Sequence, residues 1–369
     1  MTKKFAAALA LALAFFCSAA AAGEITVTDV LGRPVTVRQP VERVVLTFNF
    51  EEYIAATGEE GLSKIVGWSA KYWKGRRQST WDAFVKAFPA VASIPDVGYI
   101  QKNAFNAEAV MALRPDVVFM AQNDFKLVPD ELKLFEGAGI PVVFVDYHSQ
   151  TVENHCKSTL LFGRILGQEK RAQELADYYA ANFAKITDRV ATLTGPRPKV
   201  YMEFSGDKSG PAVYGPTWGK KMWGAIVENC GGDNIARDLV PGANGEISKE
   251  QVFVANPDVI IFTGNYVSDE ALNVGLGYEA RADVARARLE GYKSREGWGE
   301  LKAVRDNRIG ALYHDLSRHI FDVAGMQFIA KMLYPEVFAD LDPQAALQEF
   351  YDRFFPIPLT GAFMVTLEK

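Results

Sequence analysis

No surplus of basic residues runs through this chain: 40 Lys and Arg stand against 45 Asp and Glu, a formal net charge of -5. That balance leaves no broad positive field to hold nucleic acid or an anionic membrane, so a nucleic-acid role is not expected. Cysteine is scarce, with 3 in 369 residues, which excludes a disulfide-stapled scaffold. Cys156 and Cys230 could form one bridge in an oxidising compartment, but two separate buried thiols is the simpler reading. Past the N-terminus, no apolar run approaches the ~20 residues that a membrane-spanning helix needs. The motifs of cleft enzymes are also missing. There is no His-Glu-x-x-His, no Gly-x-Ser-x-Gly elbow, no P-loop and no Gly-x-Gly-x-x-Gly after a strand. The segment Gly206–Gly210 lacks the spacing of a phosphate loop. The leading enzyme alternative, a secreted metal-dependent hydrolase, therefore has no sequence support, and the chain is not expected to be an enzyme.

What is present begins with a targeting segment. Lys3 and Lys4 precede an uncharged run from Phe5 to Phe16, and small residues follow through Ala22. This reads as a signal peptide over residues 1–22, which places the mature protein in the periplasm. Cys17 invites a lipid anchor, but Ala14, Phe15 and Phe16 before it lack the leucine of an acylation box, so no anchor is expected. The remainder is 49% apolar and 23% charged when counted over the whole chain, as in ordinary globular proteins.

Short apolar runs alternate with segments of helical spacing. Val44–Leu46, Ile65–Val66, Val117–Met120 and Val142–Val145 form one set; Val200–Phe204, Val259–Phe262 and Ile309–Tyr313 form another. Strands alternating with helices predict an α/β fold with mostly parallel sheets covered on both faces. Between the sets, Glu169–Val190 contains neither Gly nor Pro, and it places Ala172, Leu175, Ala176, Tyr179, Phe183, Ile186 and Val190 at steps of three and four. That pattern predicts one amphipathic helix about 33 Å long. The expected organisation is an N-terminal lobe over 23–168, a connecting helix over 169–192 and a C-terminal lobe over 193–369. A rigid helix in place of a flexible tract would hold the lobes at a nearly fixed separation.

A weak internal repeat relates the lobes. Glu108-Ala-Val110 leads to Arg114-Pro-Asp-Val-Val-Phe119, and Glu250-Gln-Val252 leads to Asn256-Pro-Asp-Val-Ile-Ile261. Added to these segments are the opening Thr28-Asp-Val-Leu-Gly-Arg-Pro-Val35, Gly137-Ala-Gly-Ile-Pro-Val142, Cys230-Gly-Gly-Asp-Asn-Ile-Ala236 and Ser317-Arg-His319 followed by Ala330–Pro335. In this order the sequence resembles the periplasmic substrate-binding proteins of ABC importers for iron–siderophore complexes, haem and cobalamin. The resemblance spans almost the whole mature chain. It implies two Rossmann-like lobes joined by a single long α-helix, with a ligand cleft between the lobes. It further implies delivery of a small solute to an inner-membrane ABC permease, with Glu108 and Glu250 as the permease-docking glutamates.

Ligands of doubly wound sheets sit beyond the carboxyl ends of the strands. The residues expected to bind there are Asn49 after the first strand and Tyr147 and His148 after the fourth. The loop from Trp68 to Trp81 adds Trp68, Tyr72, Trp73, Arg76 and Arg77, an aromatic and cationic stretch suited to an anionic, partly apolar guest. The second lobe offers Tyr214, Trp218, Tyr313, Arg318 and His319. His314 and His319 are candidates for a ferric centre with open positions, and no dedicated zinc spacing is present. The expected ligand is an iron(III)-siderophore or similar metal chelate, bound without any cofactor of the protein's own, by a monomer. Molybdate or tungstate, haem, cobalamin and a nickel complex remain open as alternatives.

Overall fold

The structure, a computed structural model, describes residues 23–206, 209–268 and 271–367. Residues 1–22, expected to be a signal peptide, and with them Cys17 lie outside the described residues. A hairpin of β1 (Gly23–Thr28) and β2 (Pro34–Gln39) opens the chain and pairs antiparallel. Then follow β3 (Val44–Leu46), α1 (Phe50–Ser63), β4 (Ile65–Trp68), α2 (Ala70–Arg76), α3 (Gln78–Ala87), α4 (Ala107–Ala112), β5 (Val117–Ala121), α5 (Pro129–Gly137), β6 (Val142–Val145) and α6 (Val152–Leu166). The four strands β3 to β6 form one parallel sheet in the order β4-β3-β5-β6. Every residue of β3, β5 and β6 is buried, which is why these strands read as continuous apolar runs without alternation.

The helix α7 runs from Glu169 to Ala191, 23 residues or about 34 Å of rise. It buries the stripe Ala172, Leu175, Ala176, Tyr179 and Ile186 that its period requires. It turns back from α6 at Gly167, whose φ of 69° suits glycine, and approaches α6 closely at Gly163. Beyond it come β7 (Lys199–Phe204), β8 (Thr217–Trp218), α8 (Trp223–Asn229), β9 (Asp233–Asn234), β10 (Asn244–Gly245), α9 (Lys249–Ala255), β11 (Val259–Gly264), α10 (Ala282–Gly291), α11 (Lys302–Arg305), β12 (Ile309–Tyr313), α12 (Asp322–Leu333), α13 (Pro343–Phe354) and β13 (Met364–Thr366). The second sheet has the order β13-β12-β11-β7-β9, parallel except for the edge strand β13. Two parallel sheets joined by one long helix is the fold the alternation predicts.

The C-terminal segment has a role that the sequence did not suggest. Helix α13 lies against α1 and α7, and Arg171 of α7 donates to both Ala55 O of α1 and Phe354 O of α13. Phe84 of α3 meets Phe355 edge to face, with ring centroids 5.4 Å apart. The chain end therefore braces the back of the molecule and ties the first sheet's helices to the second lobe. Cys156 and Cys230 are both free thiols, and burial raises the pKa of each, so the two-thiol reading holds in the structure.

Candidate functional site

The loops that follow β3, β4, β5 and β6 face those that follow β7, β11 and β12, because parallel strands all deliver their carboxyl ends to one edge. Two cavities open along this line. One, of about 600 Å³, is lined by Arg76 and Gln78 on one side and by Tyr214, Asn265, Tyr266 and His314 on the other. The second, of about 570 Å³, is lined by Gln122, Lys126, His148 and Ser149 against Lys220 and Lys221.

Between the two cavities stands an aromatic core. Tyr72 stacks on Tyr99 with ring centroids 3.8 Å apart, and Phe48 sits 5.7 Å from Tyr72 and 5.4 Å from His148. Arg318, from the opposite lobe, places its guanidinium 5.7 Å from the Phe48 ring and pairs with Asp315 at 3.1 Å. The second lobe contributes Phe204 and Trp218, which flank His314 at 4.4 and 5.7 Å. Three buried nitrogens at this centre meet no partner: Arg318 Nε, Trp218 Nε1 and His148 Nδ1. The first two can only donate. Arg318 holds a φ of 72° and Asn49 one of 57°. Asn tolerates that region, but Arg adopts it at a cost of about 1–2 kcal/mol, a strain typical of functional positions.

Beneath the cleft runs a buried seam of ionisable groups from both lobes. Arg77 NH1 donates to Glu51 Oε1 at 2.6 Å, and its Nε lies 3.0 Å from Asp315 Oδ2. Asn265 Nδ2 donates to Asp315 at 2.9 Å and to the carbonyl of Arg76 at 3.3 Å. Tyr313 and Thr80 share a hydroxyl hydrogen bond of 3.0 Å across the interface. Glu52 Oε1 and His319 Nδ1 form a further hydrogen bond between the lobes. Burial favours protonation of Asp315, but the charges of Arg77 and Arg318 outweigh it and hold the carboxyl well below the usual range. Burial pushes Glu52 up to about 7 and drives His314 and His319 down to about 3, so both imidazoles are neutral near pH 7. His148 is likewise held neutral, by burial and then by Arg318.

These positions sort the residues proposed from the sequence. Tyr72, Arg76, His148, Tyr214, His314 and Arg318 come together along the cleft, while Trp218 is 1% exposed and packs behind His314 and Phe204. Trp68 and Trp73 do not: both are 0% exposed and pack with Phe50, Trp81 and Phe84 in the core of the first lobe. Arg77, Tyr313 and His319 belong to the seam beneath the cleft and pair with protein groups. Asn49 is buried and donates to Glu52 Oε2 at 3.4 Å. Tyr147 is buried behind the loop, hydrogen-bonded to Thr159 and stacked on Phe162. Sequence reasoning placed Lys220 in a cleft loop but missed Tyr99, Lys221 and the pair Glu51–Glu52. The pair carried a signal: two acids directly after a buried strand, opening a helix at the cleft edge.

Glu108 and Glu250 occupy the first turns of α4 and α9, each after a residue whose side chain caps the helix, Asn106 and Ser248. Both are exposed. Each helix feeds a central strand of its sheet and therefore starts on the cleft side, so the two carboxylates take equivalent places on the two lobes.

Comparison with known proteins agrees with this architecture. Residues 60–315 match the profile of a family described as periplasmic binding protein. A solved structure from Veillonella parvula, described as the TroA-like periplasmic binding protein FepB, superposes with a TM-score of 0.88 at 35% identity, covering 93% of this chain and 100% of that one. An ABC transporter substrate-binding lipoprotein of Bacillus subtilis is 24% identical, covering 86% of this chain and 87% of its own. The molybdate-binding protein MolA of Haemophilus influenzae is 24% identical, with 89% and 90% covered. Among the described residues no helix is long and apolar enough to cross a membrane.

Proposed function

We propose that this chain, which belongs to the periplasmic binding protein family and is thus a substrate-binding transport component and not an enzyme, captures an anionic iron(III) chelate of the siderophore type. The observation that carries the reading is the centre of the cleft. There, the unpartnered donor Arg318 Nε lies beside the Phe48–Tyr72–Tyr99 aromatic group, and a second unpartnered donor, Trp218 Nε1, belongs to the ring that flanks His314 on the other lobe. Donors without acceptors call for oxyanion oxygens, and stacked rings call for a flat apolar portion on the same guest. The cations Arg76, Lys126, Lys220 and Lys221 line the two flanking cavities and add charge at longer range. Volumes of about 600 and 570 Å³ fall within the range of small-molecule sites and exceed what a bare tetrahedral oxyanion fills.

The bound chelate is then handed to an inner-membrane ABC permease, with Glu108 and Glu250 as the charges that set docking register. The binding protein works in the periplasm as a monomer and changes no bond in its ligand. Titration of the mature protein tests the reading. Ferric siderophores, haem, cobalamin, nickel–histidine and molybdate are added in turn while tryptophan fluorescence and calorimetry are followed. Submicromolar binding of a ferric chelate is expected, weakened about 10- to 100-fold by Arg318→Gln through loss of charged hydrogen bonds. Binding of molybdate alone would keep the transport role and overturn the chelate.

A further inference from the structure

The cleft reading leaves the seam's carboxylates unused, and their arrangement is not that of a closed ion-pair network. One ligand atom from each of Glu51, Glu52 and His319 lies within 4.8 Å of the others, and all three residues are buried. That separation fits donors placed around one ion at about 2.0–2.2 Å. Glu51 gives Oε1 to Arg77, but its Oε2 has no partner. Asn49, whose amide nitrogen reaches Glu52, leaves Oδ1 with no partner. Glu51 is 3% exposed, Asn49 2% and His319 2%, so bulk water does not serve these atoms. Glu51 Oε2 and Asn49 Oδ1 are thus two buried acceptors without a donor, a costly arrangement unless something positive serves them.

The charge count points the same way. Four buried carboxyl groups, Glu51, Glu52, Asp315 and Asp322, face two guanidinium groups, Arg77 and Arg318. Asp322 adjoins the group because its backbone nitrogen bonds His319 O; its carboxyl lies beside Tyr179 and 3.9 Å from His155 Nδ1. Carboxyl groups thus outnumber guanidinium groups in the seam, and a bound cation would offset that excess.

We propose that Glu51, Glu52 and His319, with Asn49 Oδ1 as a further donor, form a structural site for a divalent transition cation of the manganese-to-zinc series, pinning the two lobes beneath the ligand cleft. Glu51, Glu52 and Asn49 come from the first lobe, and His319 comes from the second. The ion takes the place of the proton between Glu52 Oε1 and His319 Nδ1, and the imidazole binds as the neutral base with its proton on Nε2. Carboxylate and amide oxygens with one imidazole suit this series, and the absence of thiolate excludes a soft-metal site.

The mature protein, free of any chelate, is analysed by mass spectrometry for metal as isolated, after treatment with a chelator, and after equilibration or refolding with Mn(II) or Zn(II). About one ion per chain is expected, together with a melting midpoint that rises with free ion concentration. Glu52→Gln and His319→Gln are expected to lose both effects. If those variants fail to fold, the Co(II)-loaded wild type decides by X-ray absorption: one imidazole with oxygen neighbours supports the site, and sulfur or oxygen-only ligation overturns it. Less than about a tenth of an ion per chain also overturns it. Because ion counting needs no chelate, a negative result leaves the cleft reading standing.

Discussion

Asp124 shows how one buried carboxylate can serve the cleft at a cost to stability. It accepts from Gln101 Nε2 at 3.0 Å, and Gln101 in turn accepts from the Tyr99 hydroxyl at 2.8 Å, which fixes the ring that stacks on Tyr72. Its second oxygen has no partner, and burial pushes its pKa up to about 6. The unfolded value is about 3.9, so the folded state holds the proton more tightly. Stability therefore falls as pH rises from about 4 to about 6, and the penalty is fully present above that. Asp124→Asn keeps an oxygen for Gln101 and removes the charge. It is expected to stabilise the protein by about 2 kcal/mol at pH 8 and by nearly nothing at pH 4. Urea unfolding across that range checks it, and a gain independent of pH would contradict an origin in the buried Asp124 charge. Residues directly after strands, such as Tyr72, His148 and Arg318, were legible as cleft residues because topology alone puts them there. Trp68 and Trp73 were not. An aromatic-rich stretch looks the same from the sequence whether its rings face a ligand or a core, and the rings that cover Trp73, Phe50 and Phe84, come from α1 and α3.

At the scale of elements, the fold was legible because each signal is local. The buried runs of β3, β5 and β6 and the clean period of α7 need no knowledge of their partners. The bracing by α13 was illegible for the opposite reason: an amphipathic helix declares an apolar face but not what will cover it. The crossing of α6 and α7 shows the tolerance of such contacts. A Cβ added at Gly163 would stand 2.3 Å from Ala172 Cβ and 3.0 Å from Gln168 O. Neither neighbour can rotate away, since one is a Cβ and the other is backbone. Gly163→Val is expected to force the helices apart and destabilise by about 1–3 kcal/mol, measured as a lowered urea midpoint with an unchanged slope. The paired variant Gly163→Val with Ala172→Gly should recover part of that loss, because the closest clash goes with the alanine methyl. No recovery would place the strain elsewhere than at this crossing.

For the whole molecule, the decisive question is how far the lobes move when the cleft fills. The long helix α7 touches α1 and α6 on one side and α8 and α12 on the other, so it cannot act as a loose tether. The bonds of Arg77 with Asp315, of Thr80 with Tyr313, of Arg76 O with Asn265 and of Glu52 with His319 all cross the interface. Opening the lobes widely would separate Arg77 from Asp315, and a buried ion pair costs about 3–5 kcal/mol to break when one partner is removed outright. An open form paying that cost would hold less than about 1% of the molecules. The aromatic cleft is therefore largely preformed, and little binding energy is lost to closure. Solution scattering should show a radius of gyration near about 20 Å that contracts by less than about 0.5 Å at saturating ligand. A contraction above about 1 Å would mean that the seam breaks in the free protein. The interlobe ion pairs would then belong to the loaded state alone, and capture would proceed by hinge closure instead of entry into a standing site.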